Sequence, residues 1–182
     1  MPCGGPRHPA PAARQRKAVR GLGDFAFDPA SPAAVVRVGD EDFLEERAAE
    51  TRVPLLTPRF PPGRTGGRVH HVAFPATPSV RSVVAWSNGP VAGHDAGGAV
   101  VWVVGEPGSS LPRLTVAADA SSLWLADRPH DEPPWHRLRR LDAATGAVLE
   151  ERRCDLGANF TLIPRRDAVL RADLSVTPIA DL

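Results

Sequence analysis

Short apolar runs of four to six residues, each closed by Gly, Pro, Asp, Asn or Ser, recur along this chain with a long and regular period. From residue 69 they read VHHVAF (69–74), SVVAW (82–86), PVAGHD (90–95) and AVVWVV (99–104), then RLTVAA (113–118), SSLWLA (121–126), HRLRRLD (136–142) and GAVLEER (146–152). A third round opens with NFTLI (159–163), AVLRA (168–172) and LSVTPI (174–179). Runs of this length, rich in Val, Leu and Trp and separated by turn residues, predict β-strands joined by tight turns. Laid over one another, the rounds align Val72, Val116 and Leu162 at spacings of 44 and 46 residues, and Val84, Trp124 and Leu170 at 40 and 46.

Four short strands in roughly 40 to 50 residues is the repeat length of a β-propeller blade, a small twisted sheet that buries its faces against its neighbours. The predicted fold is therefore all-β, a propeller-like array of four-stranded antiparallel blades with rounds near 24–60, 69–105, 113–153 and 159–182. Residues 23–182 hold about three to four such blades, and the last round stops after three strands. A ring of six or seven blades does not close with this much chain. Closure falls to a four-bladed ring, to pairing of the first strands with the last blade, or to a second copy, unless the chain is a fragment of a longer protein. Open sheet edges predict self-association.

The turn in RRLDAATGAVLEER illustrates the local logic. Asp142 is placed to accept backbone N–H bonds, Gly146 supplies a left-handed residue, and a fourth strand is predicted from Ala147. GHDAGGAVVW repeats the pattern with Asp95 and Gly97-Gly98, one residue shorter.

LDAATGAVLE resembles the Asp-x-x-Thr-Gly-x-x-x-Trp signature of PQQ-like propeller repeats, with Glu150 in place of the Trp; HDAGGAVVW keeps the Trp, as Trp102. Residues 69–102 are also similar to a WD40 repeat, with His70 or His71 near the inner strand and Val103 where a Trp-Asp ending would have Asp. The resemblance covers residues 69–182. It implies a propeller fold, and through the quinoprotein dehydrogenases it raises the alternative of an enzyme remnant that would need calcium and a quinone.

Residues 24–60 fit the pattern only in part. DFAFDPASPAAVVRV reads as two strands around a Pro-rich turn, whereas GDEDFLEERAAETR carries good helix formers, so helix and strand both remain open over 40–52. TPRFPPGRTGGR (57–68) reads as a loop. Residues 1–22, rich in Pro, Ala and Arg without apolar periodicity, read as a disordered basic tail.

Composition narrows the partners. Lys and Arg number 22 against 21 Asp and Glu, leaving a formal charge of +1 that creates no field to draw nucleic acid or an anionic membrane. Arg14, Arg16, Lys17 and Arg20 in the tail lack interleaved aromatics, which argues against a nucleic-acid arm. No apolar segment approaches the ~18 residues of a membrane-spanning helix. Cys3 and Cys154 fall in a tail and a strand, a poor basis for a disulfide and a good fit to the cytoplasm.

No residue set predicts catalysis, a cofactor or a metal. His70, His71, His94, His130 and His136 lack ligand spacing, and alternation along a strand sends adjacent His70 and His71 to opposite faces. Ser109 and Ser110 follow Gly108 without a nucleophile elbow, and Cys154 reads as a small buried side chain. NFT (159–161) matches the glycosylation acceptor pattern by chance. DRPHDEPPWHR (127–137) is longer than a hairpin needs; Asp127, His130, Asp131, Glu132 and Trp135 either converge there on a ligand or form a solvated insertion. Trp86, Trp102 and Trp124 are expected to fill the space between blades. The resulting expectation is a non-catalytic module that binds or scaffolds a protein partner through loops at one end of its blades.

Overall fold

The computed structural model describes residues 26–27, 34–37, 44–48, 51–56, 69–105, 110–129 and 135–182, the first four segments and 110–111 as backbone only. Among the described residues, fifteen strands form four antiparallel meanders. The first sheet joins β1 (Ala26–Phe27), β2 (Ala34–Arg37), β3 (Leu44–Ala48) and β4 (Thr51–Leu56). The second joins β5 (Val69–Ala73), β6 (Ser82–Trp86), β7 (Val91–His94) and β8 (Val100–Val104). The third joins β9 (Ser110–Val116), β10 (Ser122–Arg128), β11 (His136–Asp142) and β12 (Val148–Cys154). The fourth has β13 (Phe160–Ile163), β14 (Ala168–Arg171) and β15 (Val176–Pro178), followed by a 3₁₀ turn at Ile179–Asp181.

The first strands of successive sheets adjoin one another, β1 beside β5, β5 beside β9 and β9 beside β13. The sheets therefore fan out from a shared line of inner strands, as propeller blades do. Stacking on both sides explains why β6 (SVVAW) is buried throughout and β10 (SLWLADR) at every residue but the last, while β12 alternates at its edge. One core lies between the second and third sheets, where Val83, Ala85, Val91 and Trp102 meet Leu114, Leu123, Leu125 and Leu141. Another lies between the third and fourth, where Trp124, Leu138 and Leu156 meet Phe160, Leu162 and Val169. Each fully buried Leu contributes about 1.5–3 kcal/mol, against ~0–1 kcal/mol for an exposed ion pair such as Arg140 with Asp119. Apolar seams hold the array together.

Of the ambiguous residues 40–52, the described ones, 44–48 and 51–52, are strand, because β3 is paired on both sides, with β2 and with β4, and the others lie outside the described residues. Pairing overrides the helix propensity of Leu-Glu-Glu-Arg-Ala. The predicted tail at 1–22 and the loop at 57–68 lie outside the described residues. The strand predicted from Ala147 starts at Val148, since Gly146 and Ala147 complete the turn.

Five of the connections share one device. Asp95, Asp119, Asp142, Asp155 and Asp173 each accept the backbone N–H two residues on, at 2.8 to 3.0 Å. Each carboxylate satisfies donors that the tight reversal leaves without a strand partner. Asp142 also accepts from Thr145 N–H and Oγ1, and Gly146 follows at φ 73°.

Candidate functional site

The two ends of the sheets differ. Ala76 N–H donates to Ala120 O at 2.8 Å and Arg165 N–H to Val116 O at 2.9 Å, so β5, β9 and β13 all finish at one end. Indoles add to these bonds. Trp102 Nε1 donates to Ala143 O at 3.1 Å, and its ring lies between Gly93 of its own sheet and Gly146 of the next, where an added Cβ would stand 2.4 and 2.7 Å from it. Glu150, at the place the Trp would take in the third sheet, instead pairs with Arg152, whose Nη1 donates to Ile179 O at 3.0 Å. This end is stitched from sheet to sheet.

At the opposite end lie the β10–β11 and β12–β13 connections and a group of ionisable side chains. Asp127, 1% exposed, accepts from Arg137 Nε at 3.2 Å and Nη2 at 2.7 Å, and from Arg139 Nη2 at 3.1 Å. Antiparallel register places Arg137 opposite Asp127, so one carboxylate sits between two guanidinium groups at the foot of the long loop. Asp127 is thus turned inward to anchor the loop, which removes it from the ligand-facing set the sequence suggested; a buried carboxylate must be paired. His130, Asp131 and Glu132 lie outside the described residues, and Trp135 is 49% exposed beside the loop.

On the other face of the third sheet, His136 and Arg113 both meet the ring of Phe160. The imidazole stands edge-on, with centroids 5.0 Å apart, and the guanidinium lies over the ring at 4.8 Å. His136 is 7% exposed, and its Nδ1 has no hydrogen-bond partner among the described residues. Burial, reinforced by the charges of Arg128 and Arg113 and opposed by Asp155 and Asp127, holds its pKa below the usual value. Arg128 also keeps a buried Nε without a partner among the described residues. Neither Arg113, Arg128 nor Phe160 was legible as a site in the sequence. The only cue was Arg128 inside the long polar loop.

The remaining candidates separate. Cys154, opposite His136 in the sheet, is a free, buried thiol whose pKa burial raises, which fits a packing role. Ser110 opens β9, and Ser109 lies outside the described residues. Alternation predicted opposite faces for His70 and His71, but a β-bulge between Val69 and His71 brings their rings to 4.6 Å, edge to face. Trp102 and Trp124 are buried between sheets as expected, and Trp86 is buried beside Val69, Val84 and Ala92 of its own sheet. Among the described residues no helix is long and apolar enough to cross a membrane.

No protein-family model matches the sequence, and no curated protein does. Solved structures do. Hydrazine synthase of Kuenenia stuttgartiensis matches at a TM-score of 0.54 and 16% identity, over 82% of this chain and 40% of that one. The C-terminal WD40 domain of Sif2 matches at 0.54 and 12% identity, over 87% and 46%. BamB from Moraxella catarrhalis matches at 0.53 and 18% identity, over 81% and 45%. This chain spans less than half the length of each of these three. With inner strands side by side, antiparallel meanders of three or four strands and these neighbours, the fold is that of β-propeller repeats.

Proposed function

We propose that the protein is a non-catalytic binding or scaffolding module that holds a protein partner at the charged end of its third sheet. The observation that carries this reading is the asymmetry of the two ends. One is closed by hydrogen bonds from sheet to sheet, and the other holds Arg113 and His136 against the Phe160 ring, with the charge of Arg128 acting on His136 and Trp135 exposed beside the start of β11. Arg and aromatic side chains on a rigid support are the residue types that dominate binding energy at protein interfaces. The compartment in this reading is the cytoplasm, where a free thiol such as Cys154 stays reduced. Affinity capture with the full chain tests it. A partner retained by Thr145→Ala at the stitched end and lost with Trp135→Ala supports the reading. Calcium-dependent dye reduction by the purified chain with added quinone would overturn it in favour of the enzyme remnant.

A further inference from the structure

We propose that the seam between the third and fourth sheets, at the charged end, is an anion-recognition surface that takes an acidic peptide segment of a protein partner. The proposal rests on the binding-module reading and gives its partner a chemistry.

Three independent features meet there. Arg113 is held over the Phe160 ring at 4.8 Å, so its guanidinium is oriented before any ligand arrives, and among the described residues it has no carboxylate partner. Arg128 carries a buried Nε with no acceptor among the described residues. His136 is buried with an Nδ1 that has no partner among the described residues, and it packs on the same Phe160 ring. Buried polar nitrogens are satisfied in most proteins, so the Arg128 Nε–H, a donor in every protonation state, beside a pre-oriented guanidinium indicates a missing acceptor, to which His136 can also donate in the tautomer that protonates Nδ1. Asp155, across the seam, already accepts from Gly157 N–H at 2.9 Å.

A carboxylate fits these donors. Guanidinium groups bind it through paired N–H donors. Nucleic acid is disfavoured, since a chain of net charge +1 lacks the extended cationic track that phosphate backbones require.

The test is fluorescence anisotropy with the full chain and a labelled peptide of alternating Glu and Ala, set against the Lys–Ala peptide of equal length and a thymidine oligonucleotide. The acidic peptide should bind at least about tenfold tighter than the basic one, and the joint change Arg113→Gln and Arg128→Gln should weaken it about tenfold. Arg165→Gln with Arg166→Gln, at the stitched end, should leave it unchanged. Binding by the wild-type chain should also fall as salt rises, a readout that does not depend on how any variant folds. Equal affinity for the acidic and basic peptides, or tighter binding of the oligonucleotide, overturns the acidic-peptide proposal while leaving the binding-module reading intact. A partner captured independently of Trp135 overturns that broader reading instead.

Discussion

Trp124 Nε1 and Asp167 Oδ1 lie 2.8 Å apart across the seam between the third and fourth sheets, and the same oxygen accepts Ala118 N–H at 2.8 Å. One carboxylate at the β13–β14 turn therefore ties two points of the third sheet to the fourth. Asp167 adopts a left-handed φ of 45°, which Asp and Asn tolerate better than other side chains. Asp167→Ala should destabilise the protein by about 1–3 kcal/mol, because it strands a part-buried indole donor and adds backbone strain. Asp167→Asn, which keeps an acceptor and the turn, should cost clearly less. Urea unfolding of both variants checks the order.

The Trp102 indole and Gly146 form the corresponding joint between the second and third sheets. A Cβ on Gly146 would stand 2.7 Å from the ring, at φ 73°. Gly146→Ala should then cost about 2 kcal/mol or more, part from overpacking and part from the left-handed backbone. In a Trp102→Ala background the clash has no partner, so the added cost should fall to the backbone share of about 1 kcal/mol. A double-mutant cycle showing full additivity would contradict this joint.

His136 and Asp119 both shape the acid limb of stability, as does Asp173, whose carboxyl the Ser175 hydroxyl holds below its usual range. His136 has its pKa lowered from 6.5 by burial first and by Arg128 and Arg113 next, against Asp155 and Asp127. The unfolded chain takes up that proton more readily, so stability is full above pH 6.5 and falls as pH drops below it. For Asp119, burial pushes the carboxyl up, but hydrogen bonds from Ser122 N–H, Arg140, Ser122 Oγ and Ser121 N–H outweigh it and lower the pKa from 3.8 to about 2. Its contribution is present above pH 3.8 and disappears as pH falls toward 2. His136→Phe should flatten the profile just below pH 6.5, and Asp119→Asn should shrink the step below pH 3.8, both read from unfolding midpoints across pH.

Cys154 should react slowly. Burial pushes its thiol up and outweighs the opposing charges of Arg171 and Arg152, which leaves little thiolate at neutral pH. In a Cys3→Ser chain, labelling by a thiol-specific disulfide reagent should be at least about tenfold slower in the native state than in urea. Equal rates in both states would show Cys154 to be accessible.

Strand and turn positions were legible because their causes are local. Val, Leu and Trp runs prefer a pleated half-buried surface, and Asp95 and Asp142 satisfy turn donors two to four residues away, so the alternation of strand and turn is written into each short segment. The period followed from the same signal, and with it the propeller-type array. Residues 44–56 went beyond local reading, because their helix formers yield to pairing with β2. The inward turn of Asp127 depended on Arg137 and Arg139 arriving from the next strand, and the meeting of Arg113, His136 and Phe160 on the approach of two sheets. Trp102 finds its acceptor on Ala143, 41 residues along the chain. Such contacts belong to the packing of one sheet on another, and side-chain spacing within a single strand carries no information about which residue will stand opposite it across a seam.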